Sequence, residues 1–276
     1  MAKTALLAGW GDMPRLWAER AQAQGEDFIV IKIAEEITAQ FSDLDCKEHT
    51  VNLTDFKLLL ELLKKEGITR LILLGKIHKD KLFKDFEADL KLKMILASLP
   101  NFNDDTILKA LVDQFIELGI DVLPQHYLLE DLLPARGILA GKASAELKKD
   151  LAYGFQTAYN LGRFDIGQTA LVKDGAVLAL EAVEGTDEAI KRAAKYGGPG
   201  FIMAKCSKKE QDFRFDIPTV GLNTLELLLE NQAAGLVIEA EKTFMLDQEE
   251  FCRRAEKEGL VVAAASFEKG EMILSC

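Results

Sequence analysis

The sequence predicts an α/β protein, with a Rossmann-like N-terminal domain built on a parallel sheet and a second, mixed α/β domain. Three observations carry that expectation. Through the first half, short apolar runs alternate with helical stretches, which implies parallel strands joined by crossover helices. In the second half two alternating runs are joined by Asp174-Gly175, a hairpin signal that puts antiparallel strands there, before a β-α-β rhythm returns. Between them, Leu132-Leu133-Pro134-Ala135-Arg136-Gly137 is the expected boundary, giving residues 1–132 and 137–276 as the two domains.

The elements follow in order. Thr4 to Ala8 reads as a strand, Arg15 to Gln24 as a helix and Phe28 to Ile33 as a second strand. Thr54 is expected to cap a helix running to Glu66 and stopped by Gly67; Arg70 to Leu74 is then a third strand. Helices are expected over Asp85 to Ser98 and Asp104 to Leu118, and a strand over Ile120 to Leu123. Beyond the boundary, Lys149 to Leu161 is helical, and Gly167 to Lys173 and Ala176 to Val183 form the hairpin. Thr186 to Tyr196 and Asn223 to Ala234 are helices around a strand at Phe201 to Ala204. Leu236 to Glu239, a helix from near Asp247, and Leu260 to Ala265 complete the pattern.

Composition narrows the function classes. Hydrophobic residues make up 49% and charged residues 29% of 276 residues, the balance of a folded, soluble chain. The formal net charge of -11 argues against broad binding of nucleic acid and against simple electrostatic attachment to an anionic membrane. No apolar run approaches the roughly 18 residues of a spanning helix, and no signal peptide precedes the first strand, so a cytoplasmic protein is expected. Cys46, Cys206, Cys252 and Cys276 form no CxxC pair, and His49, His78 and His126 are too separated for a HExxH site.

Two glycine-bearing turns follow strands of the first half. Gly9-Trp10-Gly11-Asp12-Met13-Pro14 could admit a phosphate or base to its backbone amides, or be a tight turn with Pro14 opening the helix. It lacks the third glycine of a dinucleotide fingerprint. Gly75-Lys76 falls at the same sheet edge, where Lys76 could meet an anion or stay a solvated loop lysine.

The second half carries three polar clusters: Phe164-Asp165-Ile166-Gly167-Gln168, Glu184-Gly185-Thr186-Asp187, and Gln211-Asp212-Phe213-Arg214-Phe215-Asp216-Ile217-Pro218 with Thr219-Val220-Gly221 behind it. Singly they read as a turn, a helix cap and the solvent face of a strand. Together they place carboxylates, an amide and an arginine at strand ends and helix starts, with Lys205 just ahead of the third cluster. Hard oxygen ligands beside cations suit Mg²⁺ or Mn²⁺ acting on a phosphate ester or anhydride.

These three segments, in this order, resemble the UDP-2,3-diacylglucosamine pyrophosphatase family, in its two-domain form unrelated to the calcineurin-like enzymes of the same step. The turn Ala8-Gly9-Trp10-Gly11-Asp12-Met13-Pro14, Gly75-Lys76 and Asp104-Asp105 also fall where that pattern has them, so the resemblance spans nearly the whole chain. One departure is Lys208-Lys209-Glu210, where the pattern has a proline and a small polar residue. The resemblance implies hydrolysis of UDP-2,3-diacylglucosamine to 2,3-diacylglucosamine 1-phosphate and UMP in lipid A biosynthesis. It also implies a required divalent cation and attack by water at the phosphorus nearer the sugar. An apolar groove for the acyl chains, transient contact with the inner face of the cytoplasmic membrane and a homodimer are further expectations.

The residues nominated for catalysis are Asp216, Asp212, Arg214 and Lys205, and for the metal Asp216, Asp212, Asp187 and Glu184. Gly9, Trp10, Gly11, Lys76, Asp165, Gln168, Thr186, Thr219 and Gly221 are nominated for substrate. Two alternatives stand beside this reading. A non-catalytic nucleotide-sugar or lipid-binding protein of the same fold is disfavoured by the acidic residues of all three clusters. A nicotinamide-dependent oxidoreductase is disfavoured by the incomplete glycine fingerprint and the lack of a ribose-binding acid after the second strand.

Overall fold

Five strands, β1 (Thr4–Ala8), β2 (Phe28–Ile33), β3 (Lys47–Val51), β4 (Arg70–Leu74) and β5 (Asp121–Val122), pair in parallel in the order β3-β2-β1-β4-β5. This is the strand order of a doubly wound nucleotide-binding sheet. The computed structural model describes residues 2–77, 88–164, 166–268 and 271–274. Strands β1 and β2 are apolar and buried nearly throughout, as a sheet covered on both faces requires. Helix α1 (Met13–Ala23) carries a proline in its first turn, and α2 (Phe56–Lys65), α3 (Leu90–Ala97) and α4 (Asp104–Glu117) follow. The apolar sides of α2, α3 and α4 close a core around Ile29, Ile31, Leu63, Leu71, Val112 and Phe115.

Thr54 does not cap α2. The N-cap is Asp55, and its carboxylate accepts from Asn52 Nδ2 (2.7 Å) rather than capping its own helix. The first-turn amide of Lys57 is taken instead by Asp89 Oδ2 (2.6 Å). Asp89 also caps α3, accepting from the Leu92 amide at 2.8 Å, so that helix starts at Leu90 with extended backbone before it. The expected start at Asp85 lies outside the described residues.

The second sheet is mixed. Its path is β14 (Glu271–Ile273), β13 (Val261–Glu268), β11 (Gly235–Glu239), β9 (Ile202–Lys205), β7 (Thr169–Lys173) and β8 (Ala176–Leu180), with β6 (Gly137–Ala140) also paired to β13. Strands β9, β11 and β13 are mutually parallel, whereas β7 runs antiparallel to both β9 and β8. Asp174 and Gly175 both have positive φ, 50° and 73°, which is the backbone of a type I′ hairpin turn. Asp150 holds that turn, accepting from both amides at 2.8 Å.

Alternation along the strands then builds two apolar layers. Ile202, Ala204 and Val237 face Leu151, Phe155 and Ala158 of α5 (Ala145–Arg163). Met203, Leu236 and Ile238 pack instead with Ile190 of α6 (Thr186–Gly197), Leu225 of α7 (Leu222–Glu230) and Phe251 of α8 (Gln248–Lys257). A two-stranded parallel pair, β10 (Thr219–Val220) with β12 (Phe244–Met245), completes the described strands.

The chain divides into two units: Met1–Leu129 with Phe213–Phe215, and Glu130–Asp212 with Asp216–Cys276. The second half thus contributes three residues to the first unit. Phe215 is buried in the core of that unit, and Phe213 accepts from the Gln125 amide at 2.7 Å while its ring meets His126 edge-on. Among the described residues no helix is long and apolar enough to cross a membrane.

Candidate active site

In the first unit the two glycine turns form one structure. Trp10 and Lys76 exchange backbone hydrogen bonds of 2.9 Å in both directions, and the Gly9 amide donates to the Leu74 carbonyl at 2.8 Å. The approach is so close that only glycine fits. A Cβ on Gly75, whose φ is +90°, would lie 2.6 Å from the Gly9 carbonyl carbon, and one on Gly9 would lie 2.8 Å from the Lys76 oxygen. The Gly11 amide donates to Thr38 Oγ1 at 3.1 Å. Gly9, Trp10, Gly11 and Lys76 therefore stand together where β1 and β4 end, the edge at which open parallel sheets hold ligands. Trp10 is 47% exposed there.

In the second unit the residues meet around the ends of β9 and the start of α6. Lys205 closes β9, and Thr169, its partner in register, opens β7. Lys205 Nζ donates to Thr186 Oγ1 at 3.1 Å, and that hydroxyl donates to Glu181 Oε1 at 2.8 Å. The other Glu181 oxygen accepts the Gln168 amide at 3.3 Å, while the Gln168 carbonyl accepts the Cys206 amide at 3.0 Å. Thr186 is the first residue of α6 and not its cap; the N-cap is Gly185, at φ 83°, which has no side chain to cover the first-turn amides. A helix N-terminus and an ammonium group thus converge on one point, an arrangement that favours an anion. The Gln168 side-chain oxygen is buried and has no hydrogen-bond partner among the described residues.

The third cluster departs from its expected form. Gln211 to Asp216 is not a strand but a turn at residues 213–215, so side chains do not alternate between two faces along it. Asp216 has φ +58°, a left-handed backbone that aspartate tolerates better than most residues. Asp216 is exposed, and Asp212 and Arg214 are half-buried. Gln211 Nε2 donates to the Asp216 carbonyl at 2.9 Å. Thr219 is turned to its own loop, donating to the Ile217 carbonyl at 3.1 Å, and Gly221 is the N-cap residue of α7. Asp165 lies outside the described residues.

The carboxylates nominated for a metal are hard oxygen donors, but they do not form a cage. Among the described residues no group of three or more His, Cys, Asp or Glu side chains is placed to hold a metal ion. Glu184 is engaged by Arg192 at 2.6 Å, and Arg192 also donates to the Leu180 carbonyl, bracing the junction of hairpin and helix. A hydrogen bond from its own backbone amide holds the Glu184 carboxyl below the ordinary carboxylate range; partial burial opposes this and the Arg192 charge reinforces it. Asp187 is exposed in the first turn of α6.

Sequence reasoning missed four participants. Thr38 and Glu181 are the acceptors that fix Gly11 and Thr186. Ser207 and Glu239 form a buried pair beside Lys205, with the Glu239 carboxylate accepting the Ser207 amide at 2.9 Å and its hydroxyl at 2.5 Å. Glu239 did carry a signal: a lone acid closing the apolar run Gly-Leu-Val-Ile at the carboxyl end of a parallel strand.

Comparison with known proteins agrees in both halves. Residues 3–132 match the family profile described as LpxI N-terminal domain, and residues 135–263 match LpxI C-terminal domain. A curated relative from Caulobacter vibrioides, named UDP-2,3-diacylglucosamine pyrophosphatase LpxI, is 30% identical over 285 residues, covering 95% of this chain and 97% of its own. Solved structures are more distant. CobK precorrin-6A reductase aligns over 98% of this chain and 91% of its own at 11% identity with a TM-score of 0.35. A GalE-like L-threonine dehydrogenase from Cupriavidus necator covers 43% of this chain and 34% of its own at 15% identity with a TM-score of 0.28. With both halves matched in order and the relative aligned along nearly its full length, this chain belongs to the LpxI family.

Proposed function

We propose that this chain hydrolyses the pyrophosphate bond of UDP-2,3-diacylglucosamine, giving 2,3-diacylglucosamine 1-phosphate and UMP in lipid A biosynthesis. The relative's name supplies the substrate, and the observation that carries the reading is the meeting of Lys205, Thr186 and Gln168 at the α6 N-terminus. A pyrophosphate brings several negative charges to the point that must accept another oxygen. The Lys205 ammonium and the first-turn amides of α6 are fixed where they can offset that charge as it grows. Stabilisation of this kind usually contributes more than any other effect to such reactions. The Gln168 amide oxygen, buried and without a partner among the described residues, is proposed to accept a hydrogen bond from the substrate once bound.

In the proposed reaction water attacks the phosphorus nearer the sugar. The new P–O bond places the water oxygen in the sugar phosphate, the bridging P–O bond breaks, and UMP leaves with the bridging oxygen. Asp216 or Asp212 takes the proton from water, and Arg214 supports the phosphates. Trp10 and Lys76 in the first unit are proposed to receive the nucleotide portion. Mg²⁺ or Mn²⁺ is part of the proposal. Such ions are commonly held by one or two carboxylates together with substrate phosphates, so Asp187, Asp212 or Asp216 could serve without a ready-made cage. The ion would supply charge neutralisation at the phosphates.

Contact with the lipid is supported by Phe164 (74% exposed), Ile166 (54%) and Val183 (fully exposed), on the two loops leading to Gln168 and Thr186. They offer apolar surface for the acyl chains or for brief contact with the membrane that holds the substrate. The test is incubation with UDP-2,3-diacylglucosamine in ¹⁸O-water, with and without EDTA, followed by mass analysis. UMP and label in the sugar phosphate are expected, with turnover lost in EDTA and restored by Mg²⁺ or Mn²⁺. Intact substrate in the metal-replete sample would overturn the activity, label in UMP the point of attack, and full turnover after metal stripping the cation.

A further inference from the structure

We infer that Ser207 and Glu239 are positioning residues for this hydrolysis, a buried clamp that sets the place of the loop from Lys208 to Asp216. The inference rests on the proposed hydrolysis, in which that loop carries the reacting carboxylates. Glu239 is the last residue of β11 and only 3% exposed, yet both of its oxygens are engaged. One accepts the Ser207 amide and hydroxyl at 2.9 and 2.5 Å; the other accepts Lys242 Nζ at 2.7 Å. A carboxylate taken out of water is costly, and its pairing seldom makes it more stabilising than an apolar side chain would be. Stability alone therefore explains poorly why an acid closes this strand.

Its location gives a better reason. Ser207 stands two residues after Lys205, at the point where the chain leaves the sheet for the loop. The other side of that point is pressed by α5: a Cβ on Gly162 would lie 3.1 Å from the Ser207 oxygen and 3.2 Å from Lys208 Cα. The fixed root is then linked outward. The Lys208 amide donates to the Gln211 side chain at 3.4 Å and the Gln211 amide returns to the Lys208 carbonyl at 3.2 Å. Gln211 Nε2 in turn donates to the Asp216 carbonyl at 2.9 Å. Hydrogen bonds joined through the Ser207–Lys208 peptide link thus run from the Glu239 carboxylate to the backbone of Asp216. Such supporting contacts decide whether a reacting group sits in its productive position, and misplacement by about 1 Å costs on the order of 100-fold in rate.

The experiment uses the full chain with Ser207→Ala, Ser207→Thr and Glu239→Gln, read by kcat and KM, thermal melting and amide hydrogen exchange. Ser207→Ala and Glu239→Gln should lose roughly 10- to 100-fold in kcat with KM nearly unchanged. Exchange over residues 208–216 should quicken while β11 stays protected, and Ser207→Thr, which keeps the hydroxyl, should recover most of the rate. Unchanged kcat in a folded Ser207→Ala protein, or a loss appearing mainly in KM, would overturn the clamp. If Glu239→Gln fails to fold, Ser207→Ala decides; if both fail, the pair is structural and the inference is wrong. Should the wild-type chain not hydrolyse the substrate at all, the activity fails while hydrogen exchange still decides whether the clamp holds the loop.

Discussion

Lys205 Nζ donates to Thr186 Oγ1 across 3.1 Å although the two residues are 19 positions apart in the chain. The lysine closes one strand and the threonine opens one helix, so the bond ties a flexible cation to a fixed dipole. Thr186 cannot drift, because its own proton is committed to Glu181 at 2.8 Å. An ammonium held this way is already directed before any substrate arrives, which lowers the cost of using it in the transition state.

Replacing Lys205 by Met should therefore reduce kcat/KM by roughly 10- to 100-fold, the equivalent of one charged hydrogen bond of about 1.5–3 kcal/mol. Thr186→Val, which loosens the lysine but keeps its charge, should cost less than about tenfold. Steady-state kinetics on the three proteins checks this. An undiminished rate in Lys205→Met would remove the lysine from the site.

Asp216 should be needed for chemistry more than for folding. Its φ of +58° complicates the obvious variant, since alanine there adds a backbone penalty of about 1–2 kcal/mol. Asp216→Asn keeps the shape and tolerates the backbone, so it isolates the carboxylate. A drop in kcat on the order of 100-fold or more is expected, with substrate still bound. Comparing Asp216→Asn with Asp216→Gly by kinetics and equilibrium binding checks it; normal turnover in Asp216→Asn would transfer the role to Asp212.

Ligand position is reported by fluorescence. The chain has two tryptophans, and Trp17 is fully buried with its Nε1 donating to the Tyr127 carbonyl at 3.0 Å. Trp10 is 47% exposed on the glycine turn. Titration with UMP should change the emission of the wild-type protein and leave Trp10→Phe nearly unaltered. Equal changes in both proteins would place the nucleotide elsewhere.

Acid sensitivity should trace in part to Glu66, which accepts from Lys47 at 2.5 Å and Lys3 at 3.1 Å, with His49 at 3.2 Å. Hydrogen bonds from Lys47 and then Lys3 lower its carboxyl from 4.5 to about 2. Because the folded value is the lower one, the stabilisation is complete above the unfolded value of about 4.5 and disappears as pH falls toward 2. Glu66→Gln should unfold more easily than wild type at neutral pH, with the gap closing between those limits. Urea midpoints measured across the range check it, and a gap independent of pH would contradict the assignment.

What the sequence could convey depended on burial. Strands β1, β2 and β4 were legible because both faces are covered and each is apolar at all but one position, Thr4, Lys32 and Arg70 in turn. Strand β3 was not, since Lys47-Glu48-His49-Thr50 is a polar edge with only Val51 buried. Strands β6, β10 and β12 are too short to show a period. In the site, Lys205 and Thr186 stood out as polar groups at element ends. Glu181 did not, because an acid just past a hairpin strand looks like any solvated one until its partners are known. The alternating charges of Asp212, Arg214 and Asp216 suggested a strand, and only the left-handed backbone at Asp216 shows why the period misleads.

The return of Phe213–Phe215 to the first unit has a consequence for how this protein can be taken apart. An N-terminal fragment ending near residue 132 would lack Phe215, which is 4% exposed in that unit's own core. Losing a buried phenylalanine costs about 3–5 kcal/mol, a large share of what holds a small fold together. The halves are consequently not interchangeable cassettes. A graft that joins the front of one homologue to the back of another must carry a matched tripeptide with it, and a lone front half should gain solubility when a peptide spanning 211–217 is supplied in trans.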